Sequence, residues 1–335
     1  MKLLRTNIWW NAVVPQILGW VYFALLADEG PLNRSWELPI LFFVATISIA
    51  AFGYLLNDFF DIVADAIAGK KNALASFSAP VRVVFVTIPL LIGIAAWLPF
   101  IDRVGATILL TLQIVALILY SAPPFRLKNC GLAGVLTDAF YGHINPVFIT
   151  LAAFIPYYIK ISPSVITFFA ILFLAVMLKG IRNILLHQID DRKKDKRAGT
   201  ATFVVKKGAL FSLNLVNRLL PFEIALTALL ALFISYYLPP FFLSLFLFTI
   251  LTYLKFSGWK LAYLPKRQLK FKFLHFINDY YEGWLPVFFL ILLAIKHHSL
   301  AWLLPTHLIL FPAFITKLVT DLKTIAQNFK TEDDY

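Results

Sequence analysis

Charge is what this chain has least of. Only 14% of its 335 residues are Asp, Glu, Lys or Arg, whereas 60% are hydrophobic. A soluble domain carries about a quarter charged residues, so an ordinary water-soluble protein is excluded. Cysteine is nearly absent too: Cys130 stands alone, and one thiol builds no internal disulfide framework. Acidic residues are scarce, 18 against 30 Lys plus Arg, leaving a formal charge of +12. No low-complexity tract interrupts the chain, and no polar stretch is long enough for a soluble domain.

What is present is a series of apolar blocks of roughly 17–25 residues, the length that crosses a hydrocarbon core. Ten candidate spans can be read, near residues 8–27, 38–57, 82–100, 104–120, 132–153, 164–187, 217–236, 239–255, 283–296 and 300–317. The expected fold class is therefore all-α, a polytopic membrane bundle of about nine or ten helices forming one domain over 1–335. The basic start Met1–Arg5 resembles a signal peptide, but no small-x-small cleavage site follows it, and Trp9, Trp10 and Trp20 suit such a segment poorly. It reads as an uncleaved first span.

The net positive charge could point to nucleic acid, yet its placement points to a membrane. With the N-terminus inside, one side collects Lys2, Arg5, Lys70, Lys71, Arg82, Arg126, Lys128, the runs 192–207 and 255–272, and Lys317, Lys323 and Lys330. The other side receives Arg34, Arg103, Lys160 and Lys296. This is the positive-inside pattern, with both termini cytoplasmic in a multi-pass integral membrane protein, an inner-membrane one if the source is bacterial. No nucleic-acid partner is expected; the lipid bilayer is.

Against this apolar background two acidic clusters stand out. Asn57, Asp58, Asp61 and Asp65 follow the apolar stretch 38–56, and Asp190, Asp191 and Asp195 follow 165–186. Carboxylates beside a bilayer core rarely persist without a partner or a task. Asp58, Asp61 and Asp65 are spaced i, i+3, i+7, and Asp191 and Asp195 i, i+4, so each set shares a helix face. Each cluster ends an even-numbered span, four spans apart, a faint internal repeat that would let the two face each other. Mg2+ takes oxygen ligands, typically one or two carboxylates plus waters and phosphate. The expected metal ligands are therefore Asp58, Asp61, Asp65, Asp191 and Asp195, gripping a diphosphate through bridging Mg2+. The plainer alternative for either cluster alone is a solvated acidic helix end.

A diphosphate also needs cations. Arg126 and Lys128 lie on the inner loop after span four, Arg5 opens span one, and Lys70 and Lys71 follow the first cluster. Lys179 and Arg182 lie within an apolar run, i, i+3 on one face, where a buried partner is expected. For most other basic residues topological anchoring suffices.

These residues resemble the UbiA-type superfamily of intramembrane prenyltransferases. Asn57-Asp58-x-x-Asp61-x-x-x-Asp65 resembles its first aspartate-rich motif, and places Asn57 among the diphosphate-site residues. Asp191-x-x-x-Asp195-x-x-Ala198-Gly199-x-x-Thr202 resembles the second motif of quinone-biosynthesis, naphthoate-type members. Tyr120-Ser121-x-Pro123-Pro124-x-Arg126-Leu127-Lys128 resembles the loop after span four, and Arg5 the arginine that often opens span one. The likeness covers roughly 1–255 in order and spacing. It implies a helical bundle around a central cavity open to lipid, and transfer of a prenyl or polyprenyl group from an allylic diphosphate. The sequence departs from the family twice. Lys70-Lys71-Asn72 stands where an Arg-Pro pair is common, and about ten spans stand where nine are usual, so 283–317 would include an added helix.

Span five carries a polar stripe inside an apolar run. Asp138, Tyr141, His143 and Asn145 precede Pro146 or adjoin it. Asp138 is the expected general base; Tyr141 and Asn145, with His187 before the second cluster, are the expected acceptor contacts. Helix–helix hydrogen bonding around a proline kink explains the same stripe equally well. Residues 278–282 could cap the cavity mouth, and His297 and His298 receive no role.

A secondary transporter is the rival from another class, but its ionisable groups would sit at the midplane of inverted repeats, whereas these cluster at one edge. A CDP-alcohol phosphotransferase would need an Asp-Gly-x-x-Ala-Arg run, which is missing. The expected function is Mg2+-dependent prenyl transfer from a polyprenyl diphosphate donor to a lipophilic acceptor. An aromatic quinone precursor is the first choice of acceptor. A glycerophosphate lipid, carotenoid or sugar phosphate is the alternative.

Overall fold

The computed structural model describes residues 9–27, 37–155, 162–258 and 274–330, the side chains of 256–258 and 327–330 aside. Among them the regular structure is helical, without a β-strand. Two compact units can be distinguished. The first draws on Asp28–Ile159 and Phe173–Glu223, the second on Ile8–Ala27, Lys160–Leu172 and Ile224–Tyr335.

The first unit begins with α2 (Glu37–Ala68), which follows α1 (Val13–Ala27) of the second. Next come α3 (Ala79–Trp97), α4 (Val104–Ser121) and α5 (Leu132–Ala139). A π-helical segment, Phe140–Ile144, then leads into α6 (Asn145–Phe154). Pro146 explains that break: it donates no N–H and its ring clashes with a carbonyl four residues back, so the helix widens ahead of it. The unit also takes the later part of α7 (Pro163–Arg197), all of α8 (Phe203–Lys207) and the start of α9 (Ala209–Tyr237). Gly180 on α7 lets the backbones close up, because a Cβ there would lie 2.8 Å from the Ala139 side chain and 3.1 Å from His143.

The second unit comprises α1, the start of α7, the rest of α9, α10 (Phe242–Gly258), α11 (Phe276–Asp279), a second π-segment (Tyr280–Trp284) and α12 (Leu285–Lys296). It closes with α13 (Leu303–Leu310) and α14 (Ala313–Lys330). Its core is aromatic: Trp20 is fully buried, and Phe241 stacks on Phe289 with centroids 4.6 Å apart. Tyr22 Oη pairs with His307 Nδ1 at 3.1 Å, fixing α1 to α13. Lys255–Asp321 (2.9 Å) and Lys317–Asp279 tie α14 to α10 and α11.

Each of the ten expected spans has a helical counterpart among the described residues, but they differ in kind. Five form unbroken helices long and apolar enough to cross a membrane: Glu37–Ala68, Ala79–Phe100, Val104–Ser121, Pro163–Arg197 and Ala209–Tyr237. The expected tenth span is a pair of helices bent by 71° rather than a straight crossing. Span five is interrupted by a π-segment, and span nine begins in one. The chain is a multi-pass membrane protein.

Candidate active site

The helix α2 does not stop where its apolar stretch ends. It continues for about three turns, so Asn57, Asp58, Asp61 and Asp65 ride on the helix, as the shared face read from their spacing requires. Gly69, at φ +70, ends the helix in the left-handed conformation, and Lys70 N–H donates to Asp65 O at 2.8 Å. Asn72 then folds the loop back, its amide donating to Asp58 O and Asp65 Oδ2, both at 2.8 Å. Its carbonyl oxygen accepts from Leu74 N–H. This residue was not among the expected ligands; its place just after Lys70-Lys71 was the available signal.

The loop after α4 delivers the two expected cations to the same face. Arg126 Nη2 donates to Asp61 Oδ1 at 2.7 Å. Lys128, buried to 7% exposure, donates to Asn57 Oδ1 at 2.8 Å and to Asp61. Burial lowers the pKa of Lys128, and the adjacent Arg126 charge adds to that, while Asp61 opposes it.

The second cluster sits on α7, which likewise outruns its apolar stretch and ends only at Arg197. Lys70 crosses to it: its Nζ lies 2.8 Å from Asp191 Oδ2 and 3.6 Å from Asp195 Oδ1. Burial disfavours this ammonium, but the hydrogen bond to Asp191 and the charges of Asp191, Asp195 and Asp65 outweigh it, so its pKa is raised. Lys194 holds the other Asp191 oxygen at 3.1 Å. The two acidic arrays are thus bridged by one lysine. Thr202, Gly131 and Lys206 extend the junction: Gly131 and Thr202 form a β-bridge, and Lys206 Nζ reaches Asn129 O at 3.0 Å.

Among the described residues, no three acidic, histidine or cysteine groups converge as a ready-made metal cage. Mg2+ does not need one, because substrate phosphate and water complete its shell. The donors at hand are all carboxylate or amide oxygen, and ammonium groups already stand between them as cations would. This donor set fits a hard divalent ion.

The polar stripe of span five lies in the same unit. Tyr141 Oη donates to Asp138 Oδ2 at 2.6 Å. The Tyr120 ring meets Tyr141 edge-on, with centroids 5.1 Å apart, and its hydroxyl is close enough to interact with both Asp138 and Tyr141. Gln113 on α4 braces the π-segment, donating to Tyr141 O at 2.8 Å and accepting from Asn145 Nδ2 at 2.9 Å.

The sequence model of the UbiA prenyltransferase family matches residues 13–278. The chain belongs to that family. Solved members share its architecture. A UbiA homolog from Archaeoglobus fulgidus bound to GPP and Mg2+ is 16% identical, with a TM-score of 0.56 over 85% of this chain and 96% of that one. The same homolog bound to DMAPP and Mg2+ gives 15%, 0.55, 85% and 96%. A structure described as digeranylgeranylglyceryl phosphate synthase in membranes gives 19% and 0.55, over 85% and 95%. At such identities the likeness is one of fold. No curated protein matches the chain.

Within this UbiA-family protein the expected site residues divide. Asn57, Asp58, Asp61, Asp65, Lys70, Arg126, Lys128, Asp191 and Asp195 come together, and Lys71 is an exposed neighbour. Arg5 lies outside the described residues. Arg182 is a correction. Its guanidinium is fully buried and paired with Glu223 at 2.7 and 2.8 Å, with Nη1 on Asn183 at 2.9 Å, so three of its five N–H donors are committed inside the protein. Glu223, alone in an apolar run, was the legible clue. Lys179 is likewise buried, at 1% exposure. Asn145 is buried at 1%; its Nδ2 donates to Leu109 O and Gln113 Oε1, bracing two helices, while its Oδ1 is buried without a hydrogen-bond partner among the described residues. The His187 side chain is 71% exposed, its Nε2 4.0 Å from Asp191, which leaves it outside the polar stripe.

Proposed function

We propose that this UbiA-family chain transfers a prenyl group from an allylic diphosphate to a lipophilic acceptor in the membrane, with Mg2+ as cofactor. The observation that carries the reading is the meeting of the two acidic arrays, Asp191 and Asp195 on α7 brought to the loop after Asp65 by Lys70. Family membership and the Mg2+ and prenyl diphosphates bound in the archaeal homolog support it. The chain acts as one domain, with both termini cytoplasmic.

In this reading Arg126, Lys128, Lys70 and Lys71 bind the diphosphate oxygens through charge-assisted hydrogen bonds. Bound Mg2+ supplies neutralisation of the leaving diphosphate. The C1–O bond breaks, and its electron pair leaves with the diphosphate. Tyr120 and Tyr141 offer aromatic faces to the allylic cation. The acceptor atom bonds to C1, and its proton passes to Asp138, directly or through the Tyr141 hydroxyl.

The acceptor we favour is an aromatic quinone precursor, because the second motif resembles that of quinone-biosynthesis members and Asp138 with its tyrosines suits a phenolic proton. A glycerophosphate acceptor is the second reading, favoured by the likeness to the digeranylgeranylglyceryl phosphate synthase. The deciding experiment gives purified protein allylic diphosphates of graded length with aromatic and non-aromatic acceptors, with and without Mg2+. Mg2+-dependent diphosphate release with a prenylated product is the expected result. Release with a glycerophosphate acceptor and with no phenol reverses the acceptor assignment. No release with any pair overturns the reading.

A further inference from the structure

We infer that Lys70 is a built-in counter-ion of the carboxylate site, which a divalent cation must displace, so that metal binds well only together with a diphosphate. The inference rests on the prenyltransferase reading above. Its ground is occupancy. Both Asp191 oxygens are taken by lysines, Oδ2 by Lys70 at 2.8 Å and Oδ1 by Lys194 at 3.1 Å. Lys70 also lies 3.6 Å from Asp195, and Asp65 adds its charge. At Asp61, Arg126 and Lys128 both contact Oδ1. Three carboxylates (Asp61, Asp191, Asp195) are thus paired with four cations (Lys70, Arg126, Lys128, Lys194), and Asp65 adds a fourth negative charge near Lys70, so this cluster is close to neutral as it stands.

A near-neutral site attracts Mg2+ weakly, and two cations cannot share one carboxylate oxygen without repulsion. A diphosphate changes both terms. It brings negative charge with the metal, and its oxygens give the displaced ammonium a new partner. The backbone is built for such an exchange. Gly69 and the Asn72 bonds to α2 fix the loop, leaving the flexible Lys70 side chain as the part that moves. A lysine suits this better than the arginine common at this place, since its single ammonium changes partners without breaking a bidentate fork. The chain's departure from the family motif thereby acquires a consequence: metal and donor bind cooperatively, by displacement of a side chain.

The test is Mn2+ binding, followed by electron paramagnetic resonance, with and without inorganic pyrophosphate. It compares the wild type with Lys70→Met, Lys70→Arg and the control Lys193→Met, which removes an exposed charge from the same turn of α7 but from another face. Lys70→Met is expected to bind Mn2+ alone about fivefold or more tightly than the wild type, and to lose much of the enhancement by pyrophosphate. Lys70→Arg and Lys193→Met should bind Mn2+ alone within about twofold of the wild type, a change of under half a kcal/mol. Equal or weaker Mn2+ binding by Lys70→Met, with wild-type binding normal, overturns this inference and leaves the enzymatic reading standing. A gain of the same size in Lys193→Met also overturns it, because general charge would then be the cause. No Mn2+ binding by any variant, even with pyrophosphate, overturns both.

Discussion

The π-segments Phe140–Ile144 in the first unit and Tyr280–Trp284 in the second each end two residues before a proline, Pro146 and Pro286, and each presents tyrosine. In the first, the partly exposed Tyr141 donates to the carboxylate of Asp138 with Tyr120 alongside. In the second, Tyr280 and Tyr281 are 1% and 0% exposed, and their hydroxyls pair with Ser244 at 3.0 Å and Thr227 at 2.7 Å. One backbone device therefore serves two purposes. A hydroxyl on a reachable carboxylate can move a proton, whereas a hydroxyl sealed against another hydroxyl can only brace helices. The partner and the access distinguish chemistry from scaffolding, not the local conformation.

The comparison can be broken most directly at the acidic arrays. Asp61→Ala or Asp191→Ala is expected to lower turnover by about 10³-fold or more while leaving the purified protein folded. Near-normal turnover in either would remove the first unit's claim to the chemistry. Next in size, Glu223→Ala should destabilise the protein by about 3–5 kcal/mol, because Arg182 is left as an uncompensated buried charge. A thermal-denaturation midpoint like that of the wild type would return Arg182 to the list of diphosphate ligands.

Asp138→Asn sharpens the contrast between the two tyrosine sites. Prenyl transfer should fall by about 10²-fold or more, with donor affinity in a filter-binding assay unchanged; unchanged transfer rates would make the span-five stripe scaffolding like its counterpart. Tyr280→Phe should do the reverse, costing about 1 kcal/mol of stability through the lost Ser244 bond and sparing turnover. The smallest effect concerns Asp279, whose carboxyl is raised by burial, with Lys317 and Lys255 opposing and Asp321 reinforcing. The folded state holds that proton more tightly than the unfolded chain does. The group's contribution is therefore full below the ordinary carboxylate pKa and is lost as pH rises through the raised value. Asp279→Asn should flatten that part of the stability profile in a pH series of melting curves.

Both aspartate motifs, the Arg126–Lys128 loop and the apolar segments were legible because they are local: spacing puts the carboxylates on one face, and length marks a span. That Arg182 needs a buried partner was legible, but its pairing with Glu223 was not, since Glu223 lies 41 residues away on another helix. Asn145 looks like a site residue in a list of polar groups, yet its Nδ2 is spent on bracing helices, through Gln113 Oε1 and Leu109 O. How far the helix runs past the apolar stretch was not legible: it reaches Ala68, its last turns held by the Gly69 termination and the Asn72 bonds.

The sequence by itself determined a multi-pass helical membrane protein, its acidic motifs and their family, because hydrophobic length and helical periodicity are read residue by residue. Only the tertiary structure decided which cations meet which carboxylates. Lys70 reaches Asp191 across 121 positions of chain, while Arg182, in the same helix as Asp191, turns to Glu223. An ion pair is fixed by distances of a few ångströms between helices, and neither composition nor spacing along one helix contains them.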